Sequence, residues 1–217
     1  MSVDRPDPSA KPDHAGAVAY ALQRLRTELP PVFSYHDARH TEDDVLPAAI
    51  RLGRLHGLPP ADLHLLEVAA AFHDLGHVRN HIGHEQIGVE VIDDILPKFG
   101  FSARDLERIS AMIMATRLPQ SPHNDEQALL ADADLDSLGR DDFLATSEAL
   151  WRERLALGED IPWLTWLETQ LAFVRDHRYF TATARTLRDD GKKRNMALLE
   201  RLILEQKDAA ALDDPPV

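Results

Sequence analysis

Histidines crowd into one stretch of the chain. Eight of the 11 histidines fall between residues 36 and 84, and these are His36, His40, His56, His64, His73, His77, His81 and His84. Imidazole is the commonest protein ligand for metal ions, and it exchanges protons near neutral pH. The crowding therefore indicates a site for metal binding or proton transfer, which the spacing of the individual residues must define.

The first candidate segment is Tyr35-His36-Asp37-Ala38-Arg39-His40. His36 and His40 are four residues apart, so on a helix they would share one face. Pro30-Pro31 precedes them, which places the segment where a loop enters a helix. Taken alone, the pair fits either two surface histidines beside a helix start or two functional residues.

The second candidate is a His-Asp pair at the end of an apolar run. Ala70-Ala71-Phe72 leads directly into His73-Asp74-Leu75-Gly76-His77. Burying an imidazole and a carboxylate costs free energy unless something compensates them, and a metal ion accepts both as ligands. The alternative is an ordinary helix C-terminus, with His73 near the negative end of the helix dipole and Gly76 ending the helix.

Further residues of this kind follow at regular steps. The histidines recur at four- and three-residue intervals in His77, His81 and His84, and three acids interrupt an apolar segment, namely Asp132, Asp134 and Asp136. Alternate positions on a helix lie about 200° apart in projection, so these acids cannot all face solvent in one stripe. We expect at least one to point inward, where a cation would be its natural partner.

The ordered set of a histidine, a His-Asp pair and a distant aspartate resembles the HD-domain superfamily of metal-dependent phosphohydrolases. The matching residues are His40, His73-Asp74 and either Asp132 or Asp134, and the resemblance covers about residues 30–145. It implies that these residues ligate a divalent metal ion. His84 is similar to a later histidine that contributes to a second metal in some HD families. The paired-histidine motif of fuller dinuclear sites is missing, which favours one firmly held ion.

Two segments are also similar to the cyclic-nucleotide phosphodiesterase branch of that superfamily. Residues 35–40 are similar to its Tyr-His-Asn-x-x-His segment, and residues 73–80 to its His-Asp-x-x-His-x-Gly-x-x-Asn segment. In that branch the residue matching His36 is the general acid, and the residue matching His77 supports the second metal. The chain departs from the branch at Asp37, which stands in place of Asn, and at Arg79, which stands in place of Gly. We therefore expect the metal site of the branch but leave the substrate open.

The resemblance implies hydrolysis of a small phosphoester, and a nucleotide is one candidate substrate. The expected cofactor is a divalent ion (Mn, Fe, Ni, Co, Zn or Mg), which would lower the pKa of a bound water. The candidate catalytic residues are Asp74, His36 and His77. Either histidine could protonate the leaving oxygen. Arg39 and Arg79 are candidate phosphate contacts, since guanidinium binds phosphate through paired hydrogen bonds, with solvated surface charge as the alternative.

The elements that must position these residues are helices. Apolar residues recur at helical spacing in nine segments between residues 17 and 207, with breaks such as Pro59-Pro60, and no useful strand pattern appears. The sequence predicts an all-α fold, a single compact HD-type helical domain of about eight or nine helices over residues 14–207. Residues 1–13 are predicted to be a disordered tail and residues 208–217 a flexible C-terminal tail.

Composition limits the partners. Lys and Arg number 24 against 37 Asp and Glu, and the net charge of −13 argues against a nucleic-acid polymer or a membrane as partner. The chain has no cysteine, which excludes disulfides and thiolate chemistry, and we expect a cytoplasmic protein. Trp163 and Trp166 could form a homodimer patch. Besides the enzyme, two hypotheses stay open: a catalytically idle HD module that binds a nucleotide or metal for regulation, and a helical domain with structural histidines.

Overall fold

The structure is a computed structural model that describes residues 11–213, with the side chains of residues 11–210. Within that range the chain forms nine α-helices and no β-strand, so the predicted all-α fold is confirmed. The helices are α1 (His14–Glu28), α2 (Leu46–His56), α3 (Pro60–Phe72), α4 (His84–Ile95), α5 (Ala103–Thr116), α6 (Asp125–Asp134), α7 (Phe143–Ala156), α8 (Trp163–Asp176) and α9 (Ala182–Asp213). No helix among the described residues is both long and apolar enough to cross a membrane.

The chain divides into two compact units. Among the described residues, unit 1 comprises those up to Pro31 together with His36–Asp134, and unit 2 comprises Val32–Tyr35 together with those from Leu135 onward. Helix α9 continues to Asp213, beyond residue 207, where the predicted domain ends. Residues 1–10 and 214–217, which belong to the predicted tails, lie outside the described residues. The domain boundaries read from the sequence therefore stay a prediction.

Helix α3 forms the centre of unit 1. Pro60 occupies its first turn, where a missing N–H costs no helical hydrogen bond. Its buried residues are Leu65, Leu66, Val68, Ala69, Ala70, Ala71 and Phe72. The helix contacts α1, α2 and α5, in keeping with its burial along most of its length. Because α3 ends at Phe72, it delivers the following His-Asp pair to the interior of the unit.

A π-helix over His40–Val45 runs directly into α2. The sequence predicted that a helix is entered at this point, but its apolar pattern did not predict the wider turn. Insertions of this kind are frequent at functional sites because they redirect side chains within a helix. Here the wider turn buries His40 and Thr41 at the start of the helical segment.

In unit 2, α9 packs against a short 3-10 helix over Asp136–Gly139. A Cβ atom at Gly191 would lie 1.9 Å from the carbonyl oxygen of Gly139, so this close approach requires glycine. Arg188 binds both carboxylate oxygens of Asp136 at 2.7 Å. This ion pair accounts for the third of the three acids that interrupt the apolar segment.

Trp166 is buried within unit 2. It is 1% exposed, and its Nε1 donates to Ser147 Oγ at 3.0 Å. It therefore cannot share a surface patch with Trp163, whose ring packs against Trp151 with centroids 4.8 Å apart. The predicted homodimer therefore loses the tryptophan patch as its support, and it stays a prediction.

Candidate metal centre

The His-Asp pair lies where α3 ends and the chain turns into a 3-10 helix over Leu75–Val78. His73 is 1% exposed and Asp74 is 4% exposed. The Nδ1 atom of His73 lies 2.8 Å from the carbonyl oxygen of Ala70, and because a carbonyl only accepts, Nδ1 carries the proton of that hydrogen bond. The ring is thus fixed with Nε2 as the atom available to a metal.

Four residues bring their ligand atoms together at this point, and we call them the HD cluster: His40, His73, Asp74 and Asp134. Asp74 Oδ2 lies 3.2 Å from His73 Nε2 and 3.6 Å from His40 Nε2. Asp134 Oδ1 lies 3.5 Å from each of the same two nitrogens. Donor atoms that bind one ion at about 2.1 Å are about 3–4 Å apart, so these separations suit a shared metal ion.

The HD cluster contains buried polar atoms that lack a hydrogen bond. His73 Nε2 and Asp74 Oδ2 are both inaccessible to solvent, and neither has a partner of hydrogen-bonding geometry among the described residues. Buried polar atoms are nearly always satisfied in folded proteins, so each such exception calls for an explanation. A divalent ion coordinated by both atoms supplies one, and the residues present therefore fit a bound metal.

The electrostatics of the HD cluster also favour a cation. Burial alone would raise the pKa of Asp134, but its interactions with His40 and His73 prevail and lower it to about 2. Burial likewise opposes ionisation of Asp74 and His73, yet their mutual attraction holds the pKa of Asp74 well below and that of His73 well above the ordinary value. Both shifts have the same cause, the attraction between carboxylate and imidazole, so the HD cluster favours positive charge between these groups.

Asp134 makes the contacts with His40 and His73 described above. It is the last residue of α6. Asp132 is fully buried two residues earlier, and alternate helical positions point in different directions. The structure thus brings Asp134 beside the two histidines, while the identity of the last metal ligand stays a prediction.

The second oxygen of Asp74 faces three further histidines, which we call the histidine stack: His36, His77 and His84. Asp74 Oδ1 lies 3.4 Å from His84 Nε2 and 3.9 Å from His77 Nε2. The ring of His77 lies 3.9 Å from that of His84 and 4.7 Å from that of His36, centroid to centroid. His36, Asp74 and His77 also have ligand atoms close enough together to hold a metal ion. Asp74 therefore connects the two groups through its two oxygens.

The remaining histidines of the crowded stretch lie outside these groups. His56 pairs with Asp125 at 3.3 Å, and His64 packs against His14 with ring centroids 4.5 Å apart. His81 contributes only its carbonyl oxygen, which lies 3.1 Å from His84 Nδ1. That contact orients the His84 ring with Nε2 toward Asp74.

The two candidate phosphate-binding arginines are exposed. The side chain of Arg39 is 78% exposed and pairs with Asp37 at 2.7 Å, while that of Arg79 is 51% exposed and lies 4.0 Å from Glu90. Each therefore has an acidic neighbour on the surface, and a contact with phosphate stays a prediction for both.

One feature of the site was missed by the sequence reasoning. A Cβ atom at Gly76 would lie 1.9 Å from the carbonyl oxygen of His84. The turn over residues 73–76, which we call the HD turn, therefore contacts the start of α4 backbone to backbone. The signal in the sequence is a glycine two residues after Asp74, which fits the end of a helix equally well.

Comparison with known proteins places the chain in a family. The family model of the HD domain matches residues 13–138, which is more than half of the sequence. The chain therefore belongs to the HD domain family, and the resemblance noted in the sequence is confirmed. No curated protein matches the sequence at a significant level.

Solved structures share the fold at low identity. A predicted HD superfamily hydrolase from an uncultured Thermotogales bacterium matches with a TM-score of 0.60 and 20% identity, covering 90% of this chain and 94% of the other. Bacillus subtilis YpgQ, solved in complex with ADP, matches with a TM-score of 0.62 and 20% identity over 89% and 96%. A Lactobacillus plantarum protein matches with a TM-score of 0.63 and 19% identity over 93% and 97%.

Proposed function

We propose that the protein is a metal-dependent phosphohydrolase acting on a small phosphoester or nucleotide, with a metal-activated water attacking phosphorus. The observation that carries this proposal is the pair of buried atoms, His73 Nε2 and Asp74 Oδ2, that lack a hydrogen bond within a cluster of two histidines and two aspartates. Such a donor set suits Mn, Fe, Ni, Co or Zn better than Ca, and Mg is a further candidate.

The proposed reaction needs residues that hold the metal ion and a residue that donates a proton. His40, His73, Asp74 and Asp134 would hold the ion, which when bound lowers the pKa of a water and neutralises charge on the phosphoryl oxygens. His36 and His77 each offer a ring nitrogen that can hold a proton for the leaving oxygen. Both belong to the histidine stack, so the proton donor lies beside the same carboxylate, Asp74, that the ion would share.

A nucleotide is the favoured substrate class. The Bacillus subtilis structure that shares this fold was solved with ADP, which supports a nucleotide as ligand for the fold. Arg39 and Arg79 would bind its phosphates if the substrate draws them away from Asp37 and Glu90, since guanidinium binds phosphate through paired hydrogen bonds. The net charge of −13 is compatible with this, because a bound divalent ion reverses the local sign.

The alternative function is a catalytically idle HD module that binds a nucleotide or metal as a regulatory protein. The same HD cluster would serve it, so the distinction rests on turnover. The test is a panel of nucleotides and generic phosphoesters assayed on protein of known metal content, for the wild type, Asp74→Asn and the control His56→Gln.

The proposal expects turnover in the wild type and in His56→Gln, and at least about a hundredfold loss in Asp74→Asn. Metal without turnover across the panel would favour the idle module instead. Equal turnover in Asp74→Asn, with its helical circular dichroism intact, would contradict the metal-dependent reaction.

A further inference from the structure

We propose that Gly76 is a positioning residue, which sets the distance between His84 and Asp74 and through it the orientation of the metal-binding carboxylate. The proposal rests on the proposed function in so far as Asp74 ligates a metal. The observation behind it is the backbone contact between Gly76 and His84, the first residue of α4.

The contact at Gly76 leaves no room for a side chain. A Cβ atom there would lie 1.9 Å from the carbonyl oxygen, 2.7 Å from the carbonyl carbon and 2.9 Å from the Cα of His84. All three atoms belong to the backbone, so a rotamer change cannot relieve the clash. Alanine at this position would have to push the start of α4 away from the HD turn.

His84 is also held by the residues that precede it in the chain. Gly83 precedes it with a φ of 70°, a left-handed conformation that favours glycine and aims the chain into α4. His84 Nδ1 is held by the carbonyl oxygen of His81 at 3.1 Å. The backbone and one ring nitrogen of His84 are therefore fixed, and its distance from Asp74 depends on how closely α4 approaches Gly76.

That distance bears on the metal site. His84 Nε2 lies 3.4 Å from Asp74 Oδ1, while Asp74 Oδ2 belongs to the HD cluster. When one oxygen of a carboxylate binds a metal, a group that contacts the other oxygen orients the whole carboxylate. Loss of such an outer contact typically lowers metal affinity about 10–100-fold. Gly76→Ala should act on the metal only by moving His84, so its effect should disappear when the His84 ring is already absent.

Unit 2 offers a matched control. The Cβ of alanine at Gly191 would meet the carbonyl oxygen of Gly139 at the same 1.9 Å, in a part of the chain that holds no member of the HD cluster. Gly191→Ala therefore reproduces the backbone clash and its cost in stability without reaching His84.

The experiment measures Mn²⁺ dissociation constants by calorimetry in a double-mutant cycle of Gly76→Ala and His84→Ala, with Gly191→Ala as control. We expect each single variant at Gly76 or His84 to weaken binding about 10–100-fold, the double variant to be no weaker than the weaker single variant, and Gly191→Ala to bind like the wild type. Multiplying losses in the double variant, unchanged affinity in Gly76→Ala, or equal weakening in Gly191→Ala would overturn the proposal. So would a Gly76→Ala chain that fails to fold, because the glycine would then serve folding rather than His84.

A second readout needs no metal. In histidine-ring NMR spectra of the metal-free protein, Gly76→Ala should move the signals of His84 and of His77, whose rings are 3.9 Å apart, and leave those of His56 in place. Unmoved His84 signals would overturn the positioning role. If the wild type binds no metal, the proposed function fails, and these spectra still decide whether Gly76 positions His84.

Discussion

The side chain of His40 lies 3.5 Å from that of Asp134, measured from Nε2 to Oδ1, although helices α2 to α5 lie between them in the sequence. His40 begins the π-helix and Asp134 ends α6, so the HD cluster exists only when unit 1 is folded. A metal ion that needs both residues binds the folded state and not the unfolded chain, and its binding free energy adds to stability.

Divalent metal should therefore stabilise the protein against heat. Mn²⁺ at about 100 times its dissociation constant adds about 2.7 kcal/mol, which raises Tm by several degrees. His73→Gln, which removes the ring that bridges Asp74 and Asp134, should lose the response, and His56→Gln should keep it. Differential scanning fluorimetry with and without Mn²⁺ checks this, and an equal shift in all three proteins would show that the ion binds elsewhere.

The two acids of α6 should differ in their effect on metal content. Asp134→Asn replaces the carboxylate that lies 3.5 Å from both ligand histidines by a neutral amide, and we expect at least about a hundredfold weaker metal binding. Asp132→Asn should leave the metal stoichiometry unchanged. Elemental analysis after dialysis measures both, and retention in Asp134→Asn with loss in Asp132→Asn would reverse the assignment.

The sequence could not make that choice because both acids interrupt the apolar segment in the same way. It did predict the helical class and the polar pair at the end of α3, since those depend on local patterns such as Pro59-Pro60 and the apolar run into His73. The ligand set followed from the resemblance to the HD superfamily, and it stays a prediction. Which of Asp132 and Asp134 faces the cluster depends on how α6 is rotated against its neighbours. The π-helix at His40 and the backbone contact of Gly76 are likewise set by packing and leave no mark in apolar periodicity.

His177 should make unit 2 sensitive to acid. Burial, with Lys192 and Arg178 nearby, lowers its pKa from 6.5 to about 4, and neither ring nitrogen has a hydrogen bond among the described residues. Since the folded-state pKa lies below the unfolded one, its neutral form is fully compatible with folding above pH 6.5. Stability is then lost as pH falls from 6.5 toward about 4.

His177→Phe should remove this dependence. Replacing an unsatisfied buried ring by an apolar one of similar shape costs little, so the variant should exceed the wild type by about 1–2 kcal/mol at pH 5. Urea unfolding at pH 5 and pH 7.5 measures the difference, with His56→Phe as the control. A wild type whose stability does not fall between these pH values would contradict the prediction.

The start of α5 should contribute stability independently of the metal. Ser102 accepts from the backbone N–H of Asp105, and the Asp105 carboxylate accepts from the backbone N–H of Ser102 at 3.0 Å, which forms a capping box. Ser102→Ala should lower the free energy of unfolding by about 1 kcal/mol and leave the Mn²⁺ dissociation constant unchanged. Urea unfolding and calorimetry on the same preparation check both expectations.

A crystal structure with bound metal would show whether His40, His73, Asp74 and Asp134 hold one divalent ion. The crystals are grown with Mn²⁺ and measured at the manganese absorption edge. We expect an anomalous peak about 2.0–2.3 Å from His73 Nε2 and Asp74 Oδ2, with His40 and Asp134 completing the ligands. A fully occupied manganese peak away from these residues, or none at saturating Mn²⁺, would contradict it.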